Sequence, residues 1–138
     1  LPAQFELTLT AALLRAFNQN SGAFIPQMPS DIYNGTITKS LRDRKRLSKQ
    51  QLSVLSSFHQ KQWRVDTSND YLAAPKAYNL ISFRYSATII LNKQVLRIQL
   101  GVENILNTTY RDYMDRMRYY ADGMGRNFTL QLSYSLHP

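Results

Sequence analysis

Residues 125–136 read Gly125-Arg126-Asn127-Phe128-Thr129-Leu130-Gln131-Leu132-Ser133-Tyr134-Ser135-Leu136, and their alternation decides the fold. Successive strand residues point to opposite faces. One face therefore carries Phe128, Leu130, Leu132, Tyr134 and Leu136, and the other Asn127, Thr129, Gln131, Ser133 and Ser135. The polar face is amide and hydroxyl rather than Lys and Glu. A soluble sandwich strand can alternate in this way too, but this polar face is the profile expected of a strand with lipid on one side and a wet lumen on the other. The preceding strand repeats it, with Leu96, Ile98, Leu100 and Val102 alternating against Arg97, Gln99, Gly101 and Glu103.

Between these strands lies GVENILNTTYRDYMDRMRYYADGMGRN, residues 101–127. This wording resembles the C-terminal end of a TonB-dependent outer-membrane receptor. In that family a v-x-N-L-f-N/D-x-x-Y segment closes the penultimate strand, and G-R-N/T-hydrophobic opens the last. Val102, Asn104, Ile105, Leu106, Asn107 and Tyr110 match the first element, and Gly125, Arg126, Asn127 and Phe128 the second. Ile105 and Leu106 stand where Leu and Phe are usual, and the chain ends Leu136-His137-Pro138 rather than on an aromatic residue. The likeness is densest over residues 78–136.

Composition sets bounds on this reading. At 138 residues the chain is long enough for one soluble domain, but far short of a barrel of about 22 strands around a plug. The opening Leu1-Pro2-Ala3 carries no basic or apolar leader. The resemblance thus implies a C-terminal barrel segment over residues 1–138, without plug or signal peptide. The chain has no cysteine, which excludes a disulfide scaffold and thiolate metal sites. No apolar run approaches the roughly 18 residues of a membrane-crossing helix, so a membrane reading is a barrel reading. A net charge of +8 with 12% aromatic residues also suits a basic nucleic-acid binder. No recognisable nucleic-acid motif spacing appears, and the Lys and Arg residues are scattered or confined to turns.

In order along the chain, six strands are expected. The first spans about residues 4–17, with Phe5, Leu7, Leu9, Ala11 and Leu13 on one face. A loop with Pro26 and Pro29 follows, then a second strand over 31–42 whose poor alternation leaves its outward face open. The charge run Asp43-Arg44-Lys45-Arg46 reads as a solvated turn. The third strand covers 50–65, with Leu52, Val54, Ser56 and Phe58 opposite Ser53, Leu55, Ser57, His59 and Lys61. A polar loop over 66–76 leads to the fourth strand, which runs to Ile90 with Ile81, Phe83, Tyr85, Ala87 and Ile89 outward. Residues 91–93 form a tight turn before strands five and six. Short turns are periplasmic and long loops extracellular in such barrels, which puts 18–30, 66–76 and 108–124 outside the cell.

Catalytic signatures are missing. His59 and His137 lack a spaced partner for a metal site, and there is no nucleophile elbow or phosphate loop. The chemistry-bearing stretch is 108–124, where tyrosines interleave with arginines and aspartates. Tyr110, Tyr113, Met114, Met117 and Ala121 share a helical face, so a short helical turn with an Asp112–Arg116 pair is expected. Arg offers a planar donor fork for carboxylate or phosphate, and Tyr a stacking surface with a polar tip. Candidate ligand-binding residues are Tyr110, Arg111, Tyr113, Arg116, Arg118, Tyr119 and Tyr120, with Arg84 and Arg97 facing the lumen. Equally, these groups can staple the loop through Arg–Asp pairs and packed rings. Arg84, Arg97 and Glu103 are expected to pair with one another or with a plug.

The expectation is therefore an all-β antiparallel sheet of about six transmembrane barrel strands. The resemblance implies a Gram-negative outer-membrane transporter, not an enzyme, taking up a scarce ligand such as a ferric siderophore or related chelate. Its partners would be the remaining N-terminal barrel strands and plug, outer-membrane lipid, TonB through the plug, and the small-molecule or metal-chelate ligand. No cofactor and no nucleic acid enter that picture. The alternatives are a soluble basic all-β module binding nucleic acid or another anionic partner, and a small complete barrel, which needs at least about eight strands.

Overall fold

The computed structural model describes residues 4–25, 27–65, 70, 72–91 and 94–135. Among these, six strands form one antiparallel sheet: β1 (Gln4–Ala12), β2 (Ile32–Ser40), β3 (Leu47–His59), β4 (Tyr78–Leu91), β5 (Gln94–Glu103) and β6 (Asn127–Ser135). Each strand pairs with its sequence neighbour, in the order β1-β2-β3-β4-β5-β6. β1 and β6 have one neighbour each, so the sheet has two edges and does not close on itself. A four-residue 3-10 helix, Arg116–Tyr119, is the only helix among the described residues.

Register carries one apolar face across all six strands. Leu9 opposes Gly35 and Leu7 opposes Ile37; Ile37 opposes Val54; Val54 opposes Phe83; Phe83 opposes Val102; Val102 opposes Phe128. Cross-strand partners share a face, so β2 turns Tyr33, Gly35, Ile37 and Lys39 to the apolar side, which its own alternation left undecided. The other face is mainly hydroxyl and amide, with Glu6, Arg84, Arg97 and Glu103 among them. One of its rows runs Gln4, Ser40, Gln51, Ser86, Gln99 and Gln131, each opposite the next.

This apolar face has no cover among the described residues. Sheets in soluble domains bury such a face against a second layer. Here Leu9 and Phe128 are each 72% exposed, and Leu7, Leu130 and Leu132 are exposed beside them. The buried apolar residues are Met28 and Ala87 alone among those described.

Several strand limits differ from the sequence expectation, for local reasons. β1 stops at Ala12 rather than residue 17, because Arg15 turns to bond Asp31 and Phe17 bridges to Phe24. β3 starts at Leu47, three residues early, where Arg44 and Leu47 exchange backbone hydrogen bonds around the turn. It ends at His59 rather than 65: the Gln60 N–H still donates to the Asp31 carbonyl in register, but beyond it the Gln62 and Arg64 side chains bond the Met28 and Pro29 carbonyls. A register shift between Ser48 and Gln51 bulges β3, with Lys49 in the left-handed region at φ 51°. Pro26, the turn residues 92–93, Leu136 and the loop residues 66–69 and 71 lie outside the described residues.

Candidate functional site

The three long connections, 13–31, 60–77 and 104–126, leave the sheet at one end. The third begins with two left-handed asparagines, Asn104 at φ 48° and Asn107 at φ 54°. Asn tolerates this backbone better than most residues. The buried Asn104 side chain spans the base of the loop. Its Nδ2 donates to the carbonyls of Thr108 (2.9 Å) and Met124 (3.2 Å), and its Oδ1 accepts from the Thr108 N–H at 2.8 Å. Asn107 Oδ1 accepts from the Arg126 N–H at 2.9 Å. A Cβ on Gly125 would sit 2.8 Å from that oxygen, so the small residue permits the approach. The asparagine–glycine wording of this segment thus has a structural cause.

Within the loop, most candidate cations are already occupied. Arg111 bonds Asp122 through Nε at 2.6 Å and the Arg118 carbonyl through Nη1 at 2.8 Å. Arg118 is 3% exposed, pairs with Asp70 and lies over the rings of Tyr113 (4.8 Å) and Tyr119 (4.5 Å). The Tyr119 hydroxyl donates to Asp70 at 2.9 Å. Tyr110 stacks on Tyr78 at 4.8 Å, and Tyr78 on His59 at 4.4 Å. Arg116 is exposed, and Tyr120 is 83% exposed with Met114 and Met117 exposed nearby. The expected five-residue helical face does not form. The 3-10 helix is too short, and Asp112 accepts from the Met114 N–H and Tyr78 hydroxyl instead of pairing with Arg116.

His59 sits in a directed chain of hydrogen bonds. The Tyr78 hydroxyl has one proton and donates it to Asp112 at 2.9 Å, so it accepts from His59 Nδ1 at 3.0 Å. That assignment leaves His59 Nε2 to accept from the Ser57 hydroxyl at 3.1 Å. Among the described residues no three His, Asp or Glu side chains gather to hold a metal.

The neighbouring loops are tied in by residues that the sequence did not single out. Arg15 holds Asp31 with both terminal nitrogens, at 2.6 and 2.7 Å. Arg64, 1% exposed, reaches the same carboxylate and the Pro29 carbonyl, each at 3.0 Å. The Arg15 hydrogen bond, aided by Arg64 and opposed by burial, holds the Asp31 carboxyl below its ordinary value. At Asp70, burial pushes upward, but bonds from Tyr119, the Leu72 N–H and Arg118 outweigh it and also lower the carboxyl. Asp31, Arg64 and Asp70 are single residues in aperiodic loops, and no short-range spacing points to them.

Arg84 and Arg97 fall elsewhere, on the polar face of the sheet. Arg84 stands opposite Ser53 and Gly101, and Arg97 opposite Thr88 and Ser133. Both are exposed, as is Glu103, and none of the three forms an ion pair with another. The expected mutual pairing therefore does not occur within the sheet. Beside Tyr110, Arg111 and Asp122, a hollow of about 300 Å³ opens between the 104–126 loop and residues 74–78. Loop tyrosines and arginines thus converge at one end, while Arg84 and Arg97, like Arg116 in the loop, have no ion pair among the described residues.

No family model, curated protein or solved structure matches this chain.

Proposed function

We propose that this sheet is the C-terminal wall of a TonB-dependent outer-membrane transporter, completed into a barrel by strands and a plug outside the chain. One observation carries the reading: a predominantly apolar face that continues across all six strands, backed by a face mostly of hydroxyls and amides. Lipid is the one solvent that favours such a face uncovered, and a barrel is the one sheet form that satisfies its backbone there. Strand lengths of 9 to 14 residues suit a bilayer crossing of about 9–11 tilted residues. Long connections at one end and the two short ones, 41–46 and 92–93, at the other follow the same plan. The open edges of β1 and β6 provide the pairing positions for the missing strands.

In this role the chain performs no covalent chemistry. It lines a route for a small-molecule or chelate ligand, energised through contacts made by the plug. The 104–126 loop presents Tyr120, Arg116 and the hollow beside Tyr110 and Arg111 to the outside. The test is fractionation with an antibody against residues 108–124, with and without heating before electrophoresis. The expected signal is a heat-modifiable outer-membrane species, either much larger than 16.0 kDa or a 16.0 kDa chain within a large complex. A soluble 16.0 kDa band absent from membranes overturns the transporter reading and favours a basic binding module.

A further inference from the structure

We infer that the polar face of the sheet, at its short-turn end, is a binding groove for a small oxyanion, a carboxylate- or phosphate-bearing solute. The inference rests on the transporter reading for its setting, a wet lumen face beside the plug, and the experiment below separates the two.

A hollow of about 370 Å³ opens on this face, lined by Lys49, Gln51, Arg97, Gln99, Gln131 and Ser133 among others. That is the size range of small-ligand sites, roughly 300–1,000 Å³. Its ionisable lining is wholly cationic. Neither Arg97 nor Lys49 forms an ion pair among the described residues. At the loop end Arg15, Arg64, Arg111 and Arg118 each hold a carboxylate, and Arg116 does not.

Lys49 also lines the adjoining hollow, with Arg42. The acid there, Asp43, accepts the Lys49 backbone N–H at 2.9 Å. The bulge in β3 brings Lys49 to this position at the cost of a left-handed backbone. Around the two cations the glutamine–serine row offers neutral donors and acceptors at fixed strand spacing. Arg97 supplies a planar fork for two oxygens, Lys49 a point charge, and the amides the orienting bonds. A charge-bearing solute with further oxygen atoms satisfies all three.

The full polypeptide carrying this sequence, folded in detergent, is titrated calorimetrically with inorganic phosphate and with succinate at physiological salt. Both are expected to bind. Arg97→Gln and Lys49→Asn are each expected to weaken binding about tenfold or more, the usual scale for losing a charge-assisted bond. Asn suits the left-handed site and keeps the bulge. Arg97→Lys, retaining charge without the fork, should fall between, and it serves if the Gln variant loses heat-modifiability. Arg46→Gln, removing equal charge from the turn outside the hollow, should change affinity less than about twofold. No binding by the folded chain, or equal losses in all variants, overturns the groove. Arg97-dependent binding of poly-glutamate with none of phosphate or succinate assigns the face to an acidic polypeptide and overturns the small-solute proposal. Arg97-dependent succinate binding by a chain that fractionates as soluble keeps the groove and rejects the transporter.

Discussion

Asn104, Asn107, Gly123 and Gly125 set the shape of the 104–126 loop by backbone conformation and close approach. A Cβ on Gly123 would stand 2.4 Å from the Tyr110 ring, and the Gly123 N–H donates to the Tyr110 carbonyl at 2.7 Å. Gly123→Ala therefore has to push the ring off its stack on Tyr78. The expected cost is about 1–3 kcal/mol, typical of overpacking, read as a lowered denaturation midpoint with altered near-ultraviolet tyrosine dichroism. An unchanged midpoint and spectrum would show that the ring is free to move. The motif positions were visible in the sequence, but their roles were not, because a left-handed φ leaves no mark beyond Asn or Gly. For Arg111 and Arg118 the sequence allows either a ligand grip or a staple through Arg–Asp pairs, and the pairs are present: the carboxylates are Asp122 and Asp70, the latter in a different loop that local spacing does not reveal.

Elements are joined at the loop end by those same carboxylates. Asp70 latches 60–77 to 104–126, and Asp31 latches 13–31 to 60–77. Asp70→Asn leaves the buried Arg118 without its counter-charge, which disfavours the docked loop. Amide exchange over 108–122 should then accelerate at least about tenfold, while β4 and β5 stay protected. Equal acceleration in the strands would mean that the latch holds the whole sheet. The pH dependence follows from Asp31. Its folded-state carboxyl is held below the ordinary value, chiefly by Arg15, so the unfolded chain binds more protons. That stability is fully present above the ordinary carboxylate range, about pH 4, and is lost as pH falls through the folded value. Exchange protection of 13–31 should thus be level near neutrality and decline in acid, and Asp31→Asn should flatten the profile. Strand existence was legible from period-two patterning in five of the six elements. The ends of β1 and β3 were not, because distant loop contacts, rather than local residues, terminate them.

For the molecule as a whole, the apolar face is what any account must explain. Phe128, Leu130 and Leu132 on β6 and Phe5, Leu7 and Leu9 on β1 are exposed at both edges of the sheet. Alternation announced this face in five strands, and register shows that all six align, β2 included. The solvent that covers it is written in neither pattern nor register. Adjacent β6 residues separate the two sides. Leu130→Arg, on the apolar face, should cost about 2–4 kcal/mol in a bilayer, whereas Gln131→Arg on the polar face should be nearly neutral. Similar costs for both, measured by reversible denaturation in lipid, would argue against a lipid-facing sheet. The most direct measurement uses the absence of cysteine from the chain. Single spin labels are placed at successive positions 128–135 in native membranes, and their collisions with oxygen and with a water-soluble nickel chelate are compared. A lipid-facing wall predicts oxygen-rich, chelate-poor environments at 128, 130, 132 and 134, and the reverse at 129, 131, 133 and 135. Uniform chelate access along β6, or no alternation between the two sets, would contradict it.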